Sequence, residues 1–343
     1  MEKTLIESDV IRLLNANCLE TIARDEVLIT GAGGMIGSYF AKFLLASCDI
    51  LGISRPIVHL WSNSGNIQNL VEIQGQPGVN VFIGPHGFEL IPPSVSHVFH
   101  FGSPSFQSLF QENDLRSSNI EISRKIFKSF SQLQFFCFAS TSEVYGVTES
   151  ASISEEDVPN VNVSLARSIY PKVKFEAEKL VTDFGKQNGI QVAIPRLFHT
   201  FGPGVRANDE RSFAEFIWRA ANLMPVKLHS DGKSLRTFLY LADTVSALFK
   251  IEIKKFELPI NVGSQKETSI LEFAQLVSSV GNVPFSRIKP SGLEIQSSPN
   301  LRLKPNLSKI HNLGWQEEFT LEEAVSKTLG WAQKFPRESS NFG

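Results

Sequence analysis

The sequence has little from which to build a disulfide scaffold or a metal centre. Its 343 residues include three cysteines, Cys18, Cys48 and Cys137, none in a CxxC pair and none beside a histidine at ligand spacing. Cys48 and Cys137 lie in or beside apolar runs, which predicts buried free thiols, a reducing cytoplasm and no bound metal. Net charge is also scarce. A balance of −2 at pH 7 offers no basic surface to nucleic acid and no field to an acidic membrane. No apolar run approaches the roughly 18 residues of a membrane span. The first residues do not read as a basic-then-apolar signal segment. Repeats and low-complexity tracts are missing too. What is present is a 42% hydrophobic content, enough for a proper core, in a length suited to one large α/β unit or two small domains.

The chain is organised around Asp25 to Ser38. The apolar run Val27–Ile29 predicts a buried parallel strand, glycines follow at 31, 34 and 37, and Tyr39–Leu45 predicts a helix with one apolar face. Strand, glycine turn and helix are the dinucleotide-binding arrangement. Gly31 allows the tight turn, Gly34 leaves no Cβ against a pyrophosphate, and Gly37 lets the helix sit close on the strand. The N–H groups at Met35 and Ile36 then face the phosphates with the helix's partial positive charge. The spacing is GxxGxxG, and a glycine string alone is weak evidence; the strand before it and the helix after it favour a nucleotide site.

Before that turn, Ser8 or Asp9 is expected to cap a packing helix through Val10–Leu14. After it, strands are expected at Pro56–Leu60, Val79–Ile83, Val95–Phe101, Gln134–Ala139 and Val192–Ile194, with helices at Asn119–Phe130 and Tyr170–Lys186. Residues 147–166 read as a surface loop. Further on, Ser212–Ala221 reads as a helix, Thr237–Leu241 as a strand, Asp243–Ile251 as a helix and Pro259–Gly263 as a last strand. Helices Ser269–Gly281 and Thr320–Lys334 close the chain. Strands and helices alternate for about 200 residues, which predicts an α/β doubly wound parallel sheet with helices on both faces. The second strand runs into Trp61, where such folds usually place an acid for the adenosine ribose. Ser62 and Asn63 follow and can still bond a ribose, but no carboxylate selects against a 2′-phosphate. His100 reads as a strand histidine near the cofactor. Gly102 and Ser103 suit close passage of a cofactor.

Two further motifs carry chemistry. Thr141 stands at the end of the fifth strand, and Tyr170-Pro171-Lys172-Val173-Lys174 is a YxxxK on a helix. Residues four apart share a helix face, so an ammonium at Lys174 is expected to favour the Tyr170 phenolate below its ordinary value of about 10. A phenol so tuned exchanges a proton with a substrate hydroxyl that Thr141 also holds. Helices often carry YxxxK by chance. Following a glycine fingerprint and a strand ending in Ser-Thr, it is no longer a lone motif.

With these residues together, the chain resembles the extended short-chain dehydrogenase/reductase family of nucleotide-sugar epimerases, dehydratases and decarboxylases over about residues 25–332. Thr30–Gly37 is similar to that family's cofactor turn, Ser140–Gly146 to its active-site strand end, and Arg196–Gly204 to its segment passing nicotinamide into the sugar site. Asn208–Arg211 and Ser230–Phe238 resemble its nucleotide-diphosphate loops, and Lys304–Asn306 with Leu313–Trp315 its C-terminal signature. The resemblance implies a Rossmann domain over 1–195, to which 236–265 returns, and a smaller substrate domain mainly over 196–343. It implies NAD held by Gly31, Gly34, Met35, Ile36, Gly37, Ser62, Asn63, Gly102, Ser103, Asn119, Tyr170, Lys174 and Arg196. It implies catalysis by Thr141, Glu143, Tyr170 and Lys174. It also implies a nucleotide-diphosphate sugar contacted by Ser142, Arg211 and Arg236, where guanidinium forks suit phosphate oxygens, and a homodimer through the tyrosine helix. The chain departs from the family at Trp61 and at Gly84-Pro85, where an aspartate commonly meets the adenine. These departures leave the choice between NAD and NADP to other residues.

Neighbours of Thr141 bear on the reaction. The family's 4,6-dehydratases carry Asp then Glu after the threonine, whereas this chain carries Ser142 then Glu143. A serine is a poor acid for a departing hydroxide. Thr-Ser-Glu resembles the nucleotide-glucuronate decarboxylases, in which a 4-keto group makes the sugar a β-keto acid. Decarboxylation is therefore the first expectation. Dehydration or 4-epimerisation is the alternative, and a nucleotide-binding scaffold without turnover is the alternative of another class.

Overall fold

A computed structural model describes residues 4–14, 25–103, 111–146, 150, 152–157, 169–253, 258–287 and 303–335. Cys18 and most of the segment 147–166 lie outside the described residues. The expected parallel sheet is present. Its strands are β1 (Glu26–Thr30), β2 (Ile57–Ser62), β3 (Val79–Ile83), β4 (His97–His100), β5 (Phe135–Phe138), β6 (Ser140–Thr141), β7 (Gln191–Leu197) and β8 (Leu258–Val262). They lie in the order β8-β7-β5-β4-β1-β2-β3, with β6 also on β7, and each pairing is parallel. Chain order reverses between β1 and β4, so the crevice beyond their C-terminal ends is where such a sheet takes a ligand. The central strands are apolar on both faces because helices cover both, and Val27, Leu28 and Ile29 are each 0% exposed.

The helices used below are α1 (Leu5–Leu13), α2 (Met35–Leu51), α3 (Glu112–Ser129), α4 (Ile169–Asn188), α5 (Ser212–Ala221), α6 (Leu241–Ile253), α7 (Ile270–Val280) and α8 (Leu321–Ala332). α3 starts before the expected Asn119 and contains a π turn over Ser117–Glu121. β2 runs two residues past the expected Leu60, because Trp61 pairs with Thr30 and Phe82 while its indole N–H donates to the Gly84 carbonyl at 2.9 Å. Thr237–Leu241 yields only the two-residue strand Leu239–Tyr240, beside Thr200–Phe201. Pro259–Gly263 is not the last strand, since Thr268–Ser269 and Phe285–Arg287 follow in two small sheets. One apolar cluster runs from Val27 and Phe40 through Trp218 and Phe273 to Val325, joining the sheet to α5, α7 and α8. No helix among the described residues is long and apolar enough to cross a membrane.

The first helix is not capped by Ser8 or Asp9. Thr4 caps it, in a reciprocal pair with Glu7. Asp9 is instead wholly buried, where it accepts hydrogen bonds from the Tyr39 hydroxyl at 2.5 Å and the Tyr240 hydroxyl at 2.8 Å and pairs with Lys327 at 2.8 Å. It therefore fastens α1 to α2, to the Leu239–Tyr240 strand and to α8. Replacing Asp9 by Ala strands two phenols and an ammonium, and the expected loss is about 3 kcal/mol. The midpoint of urea unfolding measures it; a change under roughly 0.5 kcal/mol, the size of an ordinary surface substitution, would contradict the role.

Candidate active site

Three segments converge on the crevice, and the glycines set how closely. Gly31 adopts φ +65°, and a Cβ there would lie 2.6 Å from the Phe101 carbonyl carbon and 2.7 Å from Gly102. A Cβ on Gly37 would lie 2.6 Å from the Gly31 oxygen, so α2 rests on β1 only because it is absent. Gly33 has a similar duty that the sequence reading did not assign: its Cβ would fall 1.7 Å from the Asn66 carbonyl oxygen. Gly34 caps α2 without a side chain to accept from Met35 and Ile36. A long helix thus presents its first N–H groups to an anion.

Around the turn, His100 donates from Nε2 to the Ser118 carbonyl at 3.0 Å, so its Nδ1 accepts from the Thr30 hydroxyl at 2.6 Å. Thr30 in turn accepts from the Gly102 N–H at 3.3 Å. Burial, with help from the nearby Lys174, pushes the imidazole down to about 3. His100 is a neutral brace between β1, β4 and α3. Asn119, on the π turn, donates to Ser103 Oγ at 3.1 Å and to the Leu115 carbonyl at 2.8 Å. Its Oδ1 is buried without a partner. An uncapped helix end and an orphaned acceptor in one crevice fit a dinucleotide.

On the adenosine side, the Ser62 hydroxyl donates to the Asn66 carbonyl at 2.9 Å, and Asn63 is exposed beside it. The stretch Trp61–Asn69 contains no acid, lysine or arginine. Neither a carboxylate that would repel a 2′-phosphate nor a cation that would bind it stands on this loop.

The reacting side is built from α4, β6 and two loops. Tyr170 and Lys174 share one face of α4. Thr141 and Ser103 lie near enough to the Tyr170 hydroxyl to favour its phenolate, and Glu143 and Arg211 lie close enough to influence it. Thr141 also opens a single turn of 3₁₀ helix over Ser142–Tyr145 and accepts from the Glu143 N–H at 3.3 Å. Glu143 also acts on Arg236, whose charge burial disfavours. The structure thus gathers Thr141, Glu143, Tyr170, Lys174, Ser103, Arg211 and Arg236. Arg211 forms a two-pronged pair with Asp209 at 2.9 and 2.6 Å. His199 belongs to this group and was not singled out from the sequence. Its Nδ1 is buried and unpaired, and burial beside Arg236 and Arg211 pushes it down to about 3.

Two expectations need correction. The phenol of Tyr170 is pushed up, not down, because desolvation dominates and Glu143 adds to it, while Arg211, Thr141 and Ser103 only partly offset them. Lys174 donates to the Ala139 carbonyl at 2.7 Å and lies 6.0 Å from the Tyr170 ring centre, and burial pushes its own value down to about 7. Burial thus works against its charge, and Glu178 works for it. Arg196, expected to touch the cofactor, instead grips Glu178 with two hydrogen bonds of 3.0 and 2.7 Å, and both side chains are buried. Glu178 is the other residue the sequence reading passed over. Its place four residues after Lys174, on the same helix face, was the available signal.

A phenol, a lysine one turn along and a threonine hydroxyl, set at the switch point of a doubly wound sheet, define the extended short-chain dehydrogenase/reductase class. A model of the NAD dependent epimerase/dehydratase family matches residues 27–263, and the chain belongs to that family. It is 30% identical over 334 residues to a UDP-glucuronic acid decarboxylase 1 of Xenopus tropicalis, covering 93% of this chain and 74% of that protein. A decarboxylase of the same name from Arabidopsis thaliana is 27% identical over 319 residues, covering 89% of this chain and 69% of that protein. Among solved structures, dTDP-glucose 4,6-dehydratase from Bacillus anthracis superposes with a TM-score of 0.75 at 20% identity, covering 91% of this chain and 97% of that one. UDP-glucuronic acid 4-epimerase from Bacillus cereus gives 0.74 at 19%, covering 90% and 99%. These two share the fold.

The depressed Lys174 predicts a pH signature in the protein alone. Unfolded, the amine holds its proton to about 10.4; folded, it releases it near 7. Between these values unfolding takes up a proton, so this group's penalty on stability is full below pH 7 and fades as pH rises toward 10. Replacing Lys174 by Met should therefore stabilise the protein most at pH 6, by a few kcal/mol, with the advantage shrinking by pH 10. Urea midpoints of both proteins across that range measure it, and a constant difference would refute the assignment.

Proposed function

We propose that this chain converts a nucleotide-diphosphate sugar bearing a C6 carboxylate, UDP-glucuronate in the first instance, by removing that carboxylate as CO2. The observation that carries the reading is Thr141-Ser142-Glu143 beside Tyr170, with no aspartate to protonate a departing C6 hydroxyl. Similarity over most of the chain to proteins named UDP-glucuronic acid decarboxylase supports it. NAD is the cofactor we assign, held by the Gly31–Gly37 turn with Ser103 and Asn119, and when bound it supplies the hydride acceptor. The neutral loop Trp61–Asn69 offers no cation for NADP. Residues 1–195 and 236–265 would hold the cofactor, and 196–343 mainly the sugar nucleotide. A homodimer through α4 and a cytoplasmic setting complete the reading; the free buried thiols Cys48 and Cys137 agree with the latter.

In this scheme Thr141 holds the C4 hydroxyl and Tyr170 takes its proton. The resulting C4 ketone lies β to the C6 carboxylate, so the C5–C6 bond breaks with its electron pair drawn toward the ketone oxygen. Glu143 steers the sugar or returns a proton to C5; the C4 ketone would then take back the hydride it gave up while Tyr170 returns the proton to its oxygen, so that the product differs from the substrate by CO2 alone. Arg236, with Arg211 once released from Asp209, meets the diphosphate. The resting phenol keeps its proton, so proton transfer depends on the charge balance that ligands create around Lys174, Glu143 and Arg211.

The purified protein incubated with UDP-glucuronate, and separately with UDP-glucose and dTDP-glucose, should give one product lighter by CO2, from UDP-glucuronate alone. Loss of water, or inversion without a mass change, would replace this reading with dehydration or epimerisation; no turnover of any sugar would favour the scaffold. Tyr170→Phe should lower turnover about 1,000-fold with the fold unchanged by circular dichroism. Glu143→Gln should slow release of CO2 more than oxidation at C4, as seen by build-up of reduced cofactor absorbance.

A further inference from the structure

Glu178 lies wholly inside the protein and touches three segments that carry the site. Its Oε1 accepts from the Ser140 hydroxyl at 2.5 Å and from Arg196 Nε at 3.0 Å, and its Oε2 from Arg196 Nη2 at 2.7 Å. Ser140 precedes Thr141 on β6. Arg196 lies on β7, three residues before His199. Glu178 itself is one helical turn beyond Lys174 and two beyond Tyr170. The network extends further. The Arg196 guanidinium stacks 4.8 Å from the Tyr145 ring, and the Tyr145 hydroxyl donates to Asn261 Oδ1 at 2.7 Å on β8. The Asn261 N–H donates to Glu155 at 2.7 Å, and its amide donates to the Ile153 and Asn306 carbonyls at 3.0 and 3.3 Å.

We propose that Glu178 is a positioning residue: it locks the helix bearing Tyr170 and Lys174 to the strand end bearing Thr141 and to the Arg196 strand. The proposal rests on the roles given to Tyr170 and Lys174 above. Three hydrogen bonds fill one carboxylate, so α4 cannot rotate or slide against β6 without breaking a buried ion pair. The register between the phenol and the threonine hydroxyl is thereby set from below. Charge matters as well as geometry. Lys174 meets the Ala139 carbonyl, the Phe138 ring at 4.6 Å and the Tyr170 ring, and at longer range it feels the neutral His100 and Glu178. Among the described residues Glu178 is the anion that acts on the amine, and its field opposes the desolvation.

The test uses the whole protein and reads two properties. The first needs no substrate: the pH at which Lys174→Met changes stability relative to Lys174, followed by urea midpoints. In a Glu178→Gln background that titration should move to lower pH by about one unit; an unmoved titration would overturn the electrostatic part. The second is turnover of whichever sugar nucleotide the wild type accepts. Glu178→Gln should lower kcat at least 10-fold with KM within about twofold, and its alkaline limb should move to lower pH. Because the glutamine variant leaves Arg196 buried without a counter-charge, a second protein, Glu178→Met with Arg196→Met, restores an apolar interior. It should regain wild-type stability yet keep the low kcat. Wild-type kcat in that double variant would show the pair to be structural only. Failure of the wild type to turn over any sugar would sink the enzymatic reading and leave the stability titration to decide the electrostatic one.

Discussion

A lysine amine held against a backbone carbonyl at the open end of the sheet is the constraint from which the site follows. β5 stops at Phe138 and resumes as β6 at Ser140. The residue between them, Ala139, aims its carbonyl at Lys174. Burying an ammonium is unfavourable unless dipoles, ring faces and an anion compensate it. The chain provides one of each: the Ala139 carbonyl, the Phe138 face and Glu178. Each comes from a segment that also carries a reacting group, so solvating the lysine and assembling the site are the same act of folding. The interrupted strand is part of that arrangement, since an unbroken β5 would spend the Ala139 oxygen on the sheet ladder.

The same economy operates on the other side of the switch point. Gly31, Gly33 and Gly37 are positions where a Cβ would strike backbone: the Phe101 carbonyl carbon, the Asn66 oxygen and the Gly31 oxygen respectively. Side chains there would push β4, the loop after β2 and α2 away from one another. Asn69 adds a tie, its amide donating to the Gly33 carbonyl at 3.2 Å and to the Gly204 carbonyl at 3.3 Å. The glycine turn is thereby joined to the loop that follows the Arg196–Gly204 segment. Motion of that loop would be felt at the helix end that meets phosphates.

Much of this could be read from residue order. A buried strand, a spaced glycine turn and an amphipathic helix are local patterns, and so are the caps at Ser269 and Thr320, where α7 and α8 begin as expected. The doubly wound sheet follows from alternation. What escaped were effects of distance in the fold and not in the chain. Asp9 reads as a cap until Tyr39, Tyr240 and Lys327 arrive from 30 or more residues away. Arg196 reads as a ligand for a cofactor until Glu178 takes it. YxxxK reads as an ammonium acidifying a phenol, because the helix places the two side chains on one face. The pattern carries no information on solvent, and desolvation reverses the outcome for both groups.

That reversal bears on how such a site selects chemistry. A phenol held protonated by burial and by Glu143, next to a lysine poised near neutrality, is a site whose proton balance is undecided until a charged ligand enters. A diphosphate would offset Arg236 and Arg211, and an additional carboxylate on the sugar would compete with Glu143 for Arg236 and with Asp209 for Arg211. An acidic sugar therefore changes the charge around Tyr170 in a way a neutral sugar does not. Ser142 contributes by what it lacks: with no acid there, a C6 hydroxyl has no donor to help it leave, whereas a C6 carboxylate needs none once C4 is a ketone. Selection in this site would then come from the charge of the group at C6 and the missing proton beside it, and the fold it shares with dehydratases and epimerases would leave that choice to two residues next to Thr141.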